Sequence, residues 1–86
     1  MPENKIHRWF TNRRYRVDGG DIHKWMDEPA QRFGIEHRQY RHDPLMWIPE
    51  PFERKYGLDL ARAIVRSHIW LDNNWNRYKE KQTWVN

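Results

Sequence analysis

Two histidine–aspartate pairs with the same spacing stand out in the sequence. His23 and Asp27 are four residues apart, and so are His68 and Asp72. Because residues i and i+4 project from the same face of a helix, each pair places an imidazole beside a carboxylate. Such groups are typical ligands of zinc, manganese or ferrous iron. With two further histidines between the pairs, the candidate metal ligands are His23, Asp27, His37, His42, His68 and Asp72.

The same residues also fit a metal-free network of buried polar groups. Each aspartate can accept a hydrogen bond from its own histidine, which would satisfy both groups between packed helices. Two arginines, Arg38 and Arg41, can neutralise nearby carboxylates such as Glu28, and their charge would repel a cation. Both interpretations therefore stay open: a divalent metal site, or a polar network that includes Arg38, Arg41 and Glu28.

A catalytic interpretation has less support. The order of a histidine, His42-Asp43 and Asp72 is similar to the ligand order of metal-dependent phosphohydrolases of the HD type. Pro44 disfavours a helical conformation for Asp43, whereas the dipeptide of that family lies in a helix. Ser67 is the only serine, and no sharp turn surrounds it to expose a nucleophile. We assign no catalytic residue, and the sequence favours a protein that is not an enzyme.

The net charge of +4 resides entirely in the N-terminal segment. Residues 1–16 contain five basic side chains and one acidic side chain, whereas the remainder of the chain is balanced. Arginine pairs with phosphate and aromatic rings stack on bases, so the mixture suits nucleic acid or an acidic protein. Alternatively, Ile6, Trp9 and Phe10 face a core while the arginines face water. The candidate contact residues are Arg8, Trp9, Arg13, Arg14, Tyr15 and Arg16.

Length and composition indicate one small folded domain. The chain has 86 residues, of which 37% are hydrophobic and 15% aromatic, and this aromatic content argues against disorder. No apolar run is long enough to span a membrane, and no secretory signal is evident. Without cysteine there is neither a disulfide framework nor a thiolate zinc site. We therefore expect an intracellular, cytoplasmic protein.

The positions of glycine and proline predict an all-α fold, a small bundle of three to five helices with an irregular Pro-rich connection. A first helix is expected over 2–16, closed by Gly19-Gly20, with a hairpin about Thr11-Asn12 as the alternative. Asp21 is a candidate N-cap for a second helix that reaches Glu28. We expect a single domain, 1–86, with a basic aromatic arm at 1–17, the histidine and aspartate motifs at 18–72 and an aromatic tail at 73–86.

The second half of the chain is expected to contain three more helical stretches. The first covers about 35–41, and a short one follows over 52–56 after an irregular segment at 44–51. Asp59 begins the longest helix, in which the Asn73-Asn74 pair is a candidate interruption. His68 falls on the apolar stripe of this helix, so it should point into the core.

Three blocks of the sequence resemble those of a family of short proteins of unknown function found in bacteria, archaea and phages. They are Ile22–Glu28, His37–His42, and His68-Ile69 with Asp72. The family has an Ile-His-x-Trp-x-Asp-Glu block followed by His-Arg-x-x-Arg-His, and the resemblance covers residues 22–72. It implies that the three blocks belong to one site, and it implies no activity.

Three functional hypotheses follow from the sequence. The first is a small basic binding module of the phage or mobile-element accessory type, which contacts nucleic acid or an acidic protein and inhibits a host nucleic-acid-handling complex. The second is a metal-binding domain or metal-dependent phosphohydrolase, with zinc, manganese or iron as the cofactor. The third is a structural homo-oligomer held together by its tryptophan surfaces.

Overall fold

The computed structural model describes residues 3–29 and 41–81, with side chains as far as residue 77. Within these residues the chain forms helices and no strands, which confirms the all-α prediction. None of the described helices is both long enough and apolar enough to cross a membrane. The helices are α1 (Asn4–Tyr15), α2 (Gly20–Asp27), α3 (Glu50–Tyr56) and α4 (Leu58–Lys81).

The N-terminal segment is a helix rather than a hairpin, and it ends within one residue of the predicted position but without a glycine cap. Arg16 adopts a left-handed conformation with φ of 63°, and its N–H donates to the Asn12 carbonyl at 2.9 Å. The expected closure by Gly19-Gly20 is therefore wrong. A basic last turn complements the negative end of the helix dipole, which favours an end at this point.

The α2 helix begins at Gly20, so the assignment of Asp21 as its N-cap is also wrong. Asp21 lies in the first turn, where its carboxylate accepts hydrogen bonds from Lys55 Nζ at 2.9 Å and Tyr56 Oη at 2.6 Å. These bonds connect α2 to the end of α3. The helix ends before Pro29, as the sequence predicts.

The irregular segment and the two C-terminal helices follow the predicted order. Turns occupy the segment after Pro44, α3 includes Pro51 in its first turn, and Gly57 ends it with φ of 84°. The α4 helix continues through Asn73-Asn74 without a break. The helix predicted over 35–41 lies outside the described residues, apart from Arg41.

The core forms where α2 and α4 meet the segment before α3. Apolar residues at helical spacing on α4 pack against the apolar face of α2, and α1 contacts both helices. Burying these side chains supplies the main stabilisation of the fold. The buried apolar cluster consists of Ile22, Met26, Ile48, Ala61, Ile64 and Val65.

Candidate metal centre

Polar side chains from three helices and one loop meet inside this small domain. The α1 helix supplies His7 and Thr11, α2 supplies His23 and Asp27, the loop supplies His42, and α4 supplies His68 and Asp72. Most of them are almost completely inaccessible to solvent. A domain of this size buries few polar groups without a reason, because each one must be satisfied. We use the term His/Asp centre for Asp27, His42, His68 and Asp72.

The four members of the His/Asp centre direct one atom each toward a common point. His68 Nε2 lies 3.1 Å from Asp27 Oδ1 and 3.4 Å from Asp72 Oδ2. His42 Nε2 lies 3.7 Å from Asp27 Oδ1 and 3.3 Å from Asp72 Oδ2. The rings of His42 and His68 do not stack, because their planes are inclined by 69°. Their Nε2 atoms both face the two carboxylates.

These separations agree with the coordination shell of a divalent metal. Ligand atoms bound tetrahedrally at about 2.1 Å from a metal lie about 3.4 Å from one another. The four nitrogen–oxygen distances within the His/Asp centre scatter around that value, between 3.1 and 3.7 Å, and all four atoms lie within 4.8 Å of one another. Two imidazoles and two carboxylates also suit zinc, manganese and ferrous iron. The same atoms can instead share protons in a hydrogen-bonded network.

A chain of hydrogen bonds determines which nitrogen of His68 faces the centre. Thr11 Oγ1 donates to the His7 carbonyl at 2.8 Å, so the same oxygen must accept from His23 Nε2 at 2.7 Å. The remaining nitrogen of His23, Nδ1, is then an acceptor, because burial lowers the pKa of this imidazole to about 2 and keeps it neutral. His68 Nδ1 therefore donates to His23 Nδ1 at 2.8 Å.

This chain, which we call the Thr11 relay (Thr11, His23 and His68), leaves Nε2 of His68 directed at the carboxylates. Metal-binding histidines usually donate their other N–H to a neighbouring group, which fixes the tautomer and the orientation of the ring. His23 has this role toward His68. Both nitrogens of His23 are thereby used, so the expected pairing of His23 with Asp27 is wrong.

His7 orients the second carboxylate from the other side. Its Nε2 lies 3.1 Å from Asp72 Oδ1, the oxygen of Asp72 that points away from the common point. The His7 ring stacks on His68 with centroids 3.7 Å apart and planes inclined by 6°. Since lone pairs lie in the ring plane, two parallel stacked rings do not converge on one ion. His7, His23 and His68 lie close enough to form a second histidine group, but we interpret His7 as a support of the centre.

The electrostatics of the centre keep both carboxylates ionised. Burial alone would raise the pKa of Asp72, but the close imidazoles of His42, His68 and His7 outweigh it and hold that pKa well below its ordinary range. Burial alone would likewise raise the pKa of Asp27, but the hydrogen bond with His68 outweighs it and lowers that pKa overall. Burial lowers the pKa of His68, yet its bonds to the two aspartates raise it overall. Nε2 of His68 can thus hold either a proton or a metal ion.

Arg41 does not enter the centre. Its guanidinium donates to the Trp25 carbonyl at 2.8 Å and to Glu28 Oε1 at 2.7 Å, and it stacks over the Trp25 ring. The prediction that an arginine neutralises Glu28 agrees with this contact. Asp43 is exposed and accepts from the Leu45 N–H, so the His42-Asp43 dipeptide contributes only its histidine. The remaining two candidates, His37 and Arg38, lie outside the described residues.

The candidate nucleic-acid residues of α1 lie on its outer side. Arg8, Arg13, Arg14 and Arg16 are exposed, while Trp9 and Tyr15 are half-buried. The inner side consists of His7, Phe10 and Thr11. The structure therefore separates the arginines of this helix from the residues that support the centre.

Sequence reasoning missed His7 and Thr11 as parts of the site. Their signal was their spacing, since His7, Phe10 and Thr11 recur at three and four residues and so share a helix face. The aromatic residues and arginines of the same segment drew the interpretation toward an external partner. A lone histidine and a threonine have no motif that distinguishes them from surface residues.

Comparison with known proteins gave no match to a family model, to a curated protein or to a solved structure. The resemblance to a family of short uncharacterised proteins therefore stays a prediction. Functional inference rests on the chemistry of the His/Asp centre.

Proposed function

We propose that this protein is a divalent-metal-binding domain and that the His/Asp centre holds the ion. The observation that carries the proposal is the convergence of four ligand atoms, two imidazole nitrogens and two carboxylate oxygens. All four lie within 4.8 Å of one another, and the four nitrogen–oxygen pairs are 3.1–3.7 Å apart. Each of these separations fits one edge of a metal coordination shell.

The charge of the centre supports the same conclusion. The buried carboxylate of Asp72 and the partly buried carboxylate of Asp27 are costly to hold together unless a positive charge accompanies them. A divalent ion with two carboxylates and two neutral imidazoles makes a centre without net charge. The Arg41 guanidinium is bonded to Glu28 and is not among the groups of the centre.

The supporting hydrogen bonds favour a metal over protons alone. Each ligand that lies on α4 has a partner on its far side, His23 for His68 and His7 for Asp72. Such outer partners are typical of metal sites, where they fix ligand geometry and raise affinity. An ion can reach the centre through Asp27, which is partly exposed and lines an open cavity of about 520 Å³.

The test is the metal content of protein purified without a nickel column, measured by elemental analysis. We expect about one zinc, manganese or iron ion per chain, or uptake of one equivalent of added metal. Asp27→Asn keeps the shape of a ligand and removes its charge, and we expect at least a tenfold loss of affinity. Asp43→Asn is the matched control, because Asp43 is exposed and lies outside the centre.

Two results would contradict the proposal. Folded wild-type protein that takes up none of the three metals would favour the polar network. Equal metal binding by the Asp27→Asn and Asp43→Asn variants would place the ion elsewhere. Circular dichroism of each variant establishes that the helices are retained.

A metal-dependent phosphohydrolase is the second candidate function, and the cavity beside Asp27 favours it. Arg8 and Lys24 line the same cavity and could hold a phosphoryl group next to a metal-bound water. The measurement is the release of nitrophenol from p-nitrophenyl phosphate and its diester by manganese- or zinc-loaded protein. Absence of turnover in the loaded protein would dismiss this candidate and leave the metal centre intact.

A further inference from the structure

A second cavity lies between α1 and α4, and none of its lining residues belongs to the His/Asp centre. Its volume is about 360 Å³, which falls within the range of pockets for small ligands. Both helices contribute an arginine and an aromatic side chain to it. We call it the Arg/Trp groove, and it is lined by Phe10, Arg14, Tyr15, Arg66, Ser67 and Trp70.

Among the described residues, no carboxylate compensates the positive charge of the groove. Arg14 and Arg66 are both exposed, and no carboxylate is among the lining residues. Within the described part of the chain neither guanidinium takes part in an ion pair, although the ion pairs at Arg41 and Arg54 show that arginines elsewhere do. The α1 helix has four basic residues and no acidic one, so its field adds to the charge of the groove.

The groove also presents aromatic surface. Trp70 stacks on Phe10 with centroids 5.6 Å apart and planes inclined by 6°, and 46% of the Trp70 residue is exposed to solvent. The Arg14 guanidinium lies over the rings of Phe10 and Tyr15, at 5.4 and 5.9 Å. The groove therefore combines planar aromatic surface with the positive charge of a guanidinium group.

We propose that the Arg/Trp groove binds single-stranded nucleic acid. Arg14 and Arg66 would pair with consecutive phosphates, and a base would stack on the exposed part of Trp70. A duplex fits less well, because its bases are already stacked on one another and offer no free face. An acidic peptide would use the arginines but would leave the aromatic surface without a partner. This inference is independent of metal binding.

The test is fluorescence anisotropy of a labelled twelve-nucleotide oligothymidine with the full chain, between 50 and 200 mM salt. We expect the Arg14→Ala/Arg66→Ala variant to bind at least tenfold more weakly at 100 mM salt. Each lost phosphate contact makes the negative slope of log affinity against log salt shallower by about 0.7, so the magnitude of the slope should fall by about 1.4. The control, Lys5→Ala/Arg54→Ala, removes the same charge from two exposed side chains outside the groove and should change affinity less than threefold.

The aromatic contact has a separate signature. Trp70→Ala should weaken binding about tenfold and leave the salt slope unchanged, because stacking releases no counterions.

Equal losses in the groove variant and the control would overturn the proposal, as would tighter binding of a duplex of the same length. Competition by polyglutamate as effective as by unlabelled oligothymidine would also overturn it and would indicate an acidic protein partner. The groove variant and the control both alter only exposed side chains, so they test the proposal even if Trp70→Ala fails to fold.

Discussion

At the scale of single residues, the decisive group in the candidate site is the Thr11 hydroxyl. It binds no metal itself, yet its hydrogen bond to the His7 carbonyl determines that His23 Nε2 carries the proton. That assignment passes along the Thr11 relay to His68. A side chain two contacts away from the centre thus determines which nitrogen of a ligand is available.

We predict that Thr11→Val lowers metal affinity by about tenfold to a hundredfold, the usual cost of losing an outer partner of a metal ligand. Valine has nearly the same shape but offers no oxygen to His23 Nε2. The proton of His23 then favours Nδ1, which forces the His68 proton onto Nε2, where the metal would bind. Competition with a chelator measures the affinity. Thr11→Ser keeps the hydroxyl and should bind almost as tightly as the wild type, so equal affinity in the Val and Ser variants would refute the relay.

At the scale of helices, the position of α2 against α4 depends on a close approach at Gly19. This residue has φ of 62°, and a Cβ atom there would lie 2.9 Å from Ile64 Cγ2. The same contact brings His23, one turn into α2, beside His68 on α4. Glycine is required both for the left-handed conformation and for the space.

We predict that Gly19→Ala lowers the free energy of unfolding by about 2–4 kcal/mol, from backbone strain and from overpacking against Ile64. Urea denaturation measures the change. In the background of Ile64→Ala the clash disappears, so the combined loss should be at least about 1 kcal/mol smaller than the sum of the single losses. Strict additivity in this double-mutant cycle would show that only the backbone conformation matters.

At the scale of the whole molecule, the centre exists only in the folded chain. Its ligands come from α2, the following loop and α4, and Asp27 and Asp72 are 45 residues apart in sequence. An ion that binds these groups together therefore binds the native state and not the unfolded one. Metal binding and folding are thermodynamically linked.

We predict that a metal ion at one hundred times its dissociation constant stabilises the fold by about 2.7 kcal/mol. For a domain of this length that corresponds to a rise in Tm of roughly 10–20 °C. Thermal melts of chelator-treated protein with and without added zinc measure the shift. At the same metal concentration the Asp43→Asn variant should show the full shift, and Asp27→Asn at most about half of it, because a tenfold loss of affinity leaves about 1.4 kcal/mol. A wild-type Tm that does not respond to zinc, manganese or iron would contradict the linkage.

Features that arise within a single helix or turn could be predicted from the amino-acid sequence. Proline and glycine predicted the end of α2 and the short α3, and the apolar stripe of α4 placed His68 inside. The repeated His-x-x-x-Asp spacing also drew attention to residues that do meet in space. These features follow from helix geometry and steric limits, which act within a few residues of the chain.

Which of these polar groups pair with one another depends on how the helices pack and could not be predicted from local spacing. The strongest local expectation, an aspartate bonded to its own histidine four residues away, fails for His23, which bonds to Thr11 and His68 instead. Asp27 instead contacts His68, 41 residues along the chain. Helix spacing specifies the face from which a side chain projects, but the packing of α1, α2 and α4 determines which faces meet. The relay and the convergence of four ligand atoms are consequences of that packing.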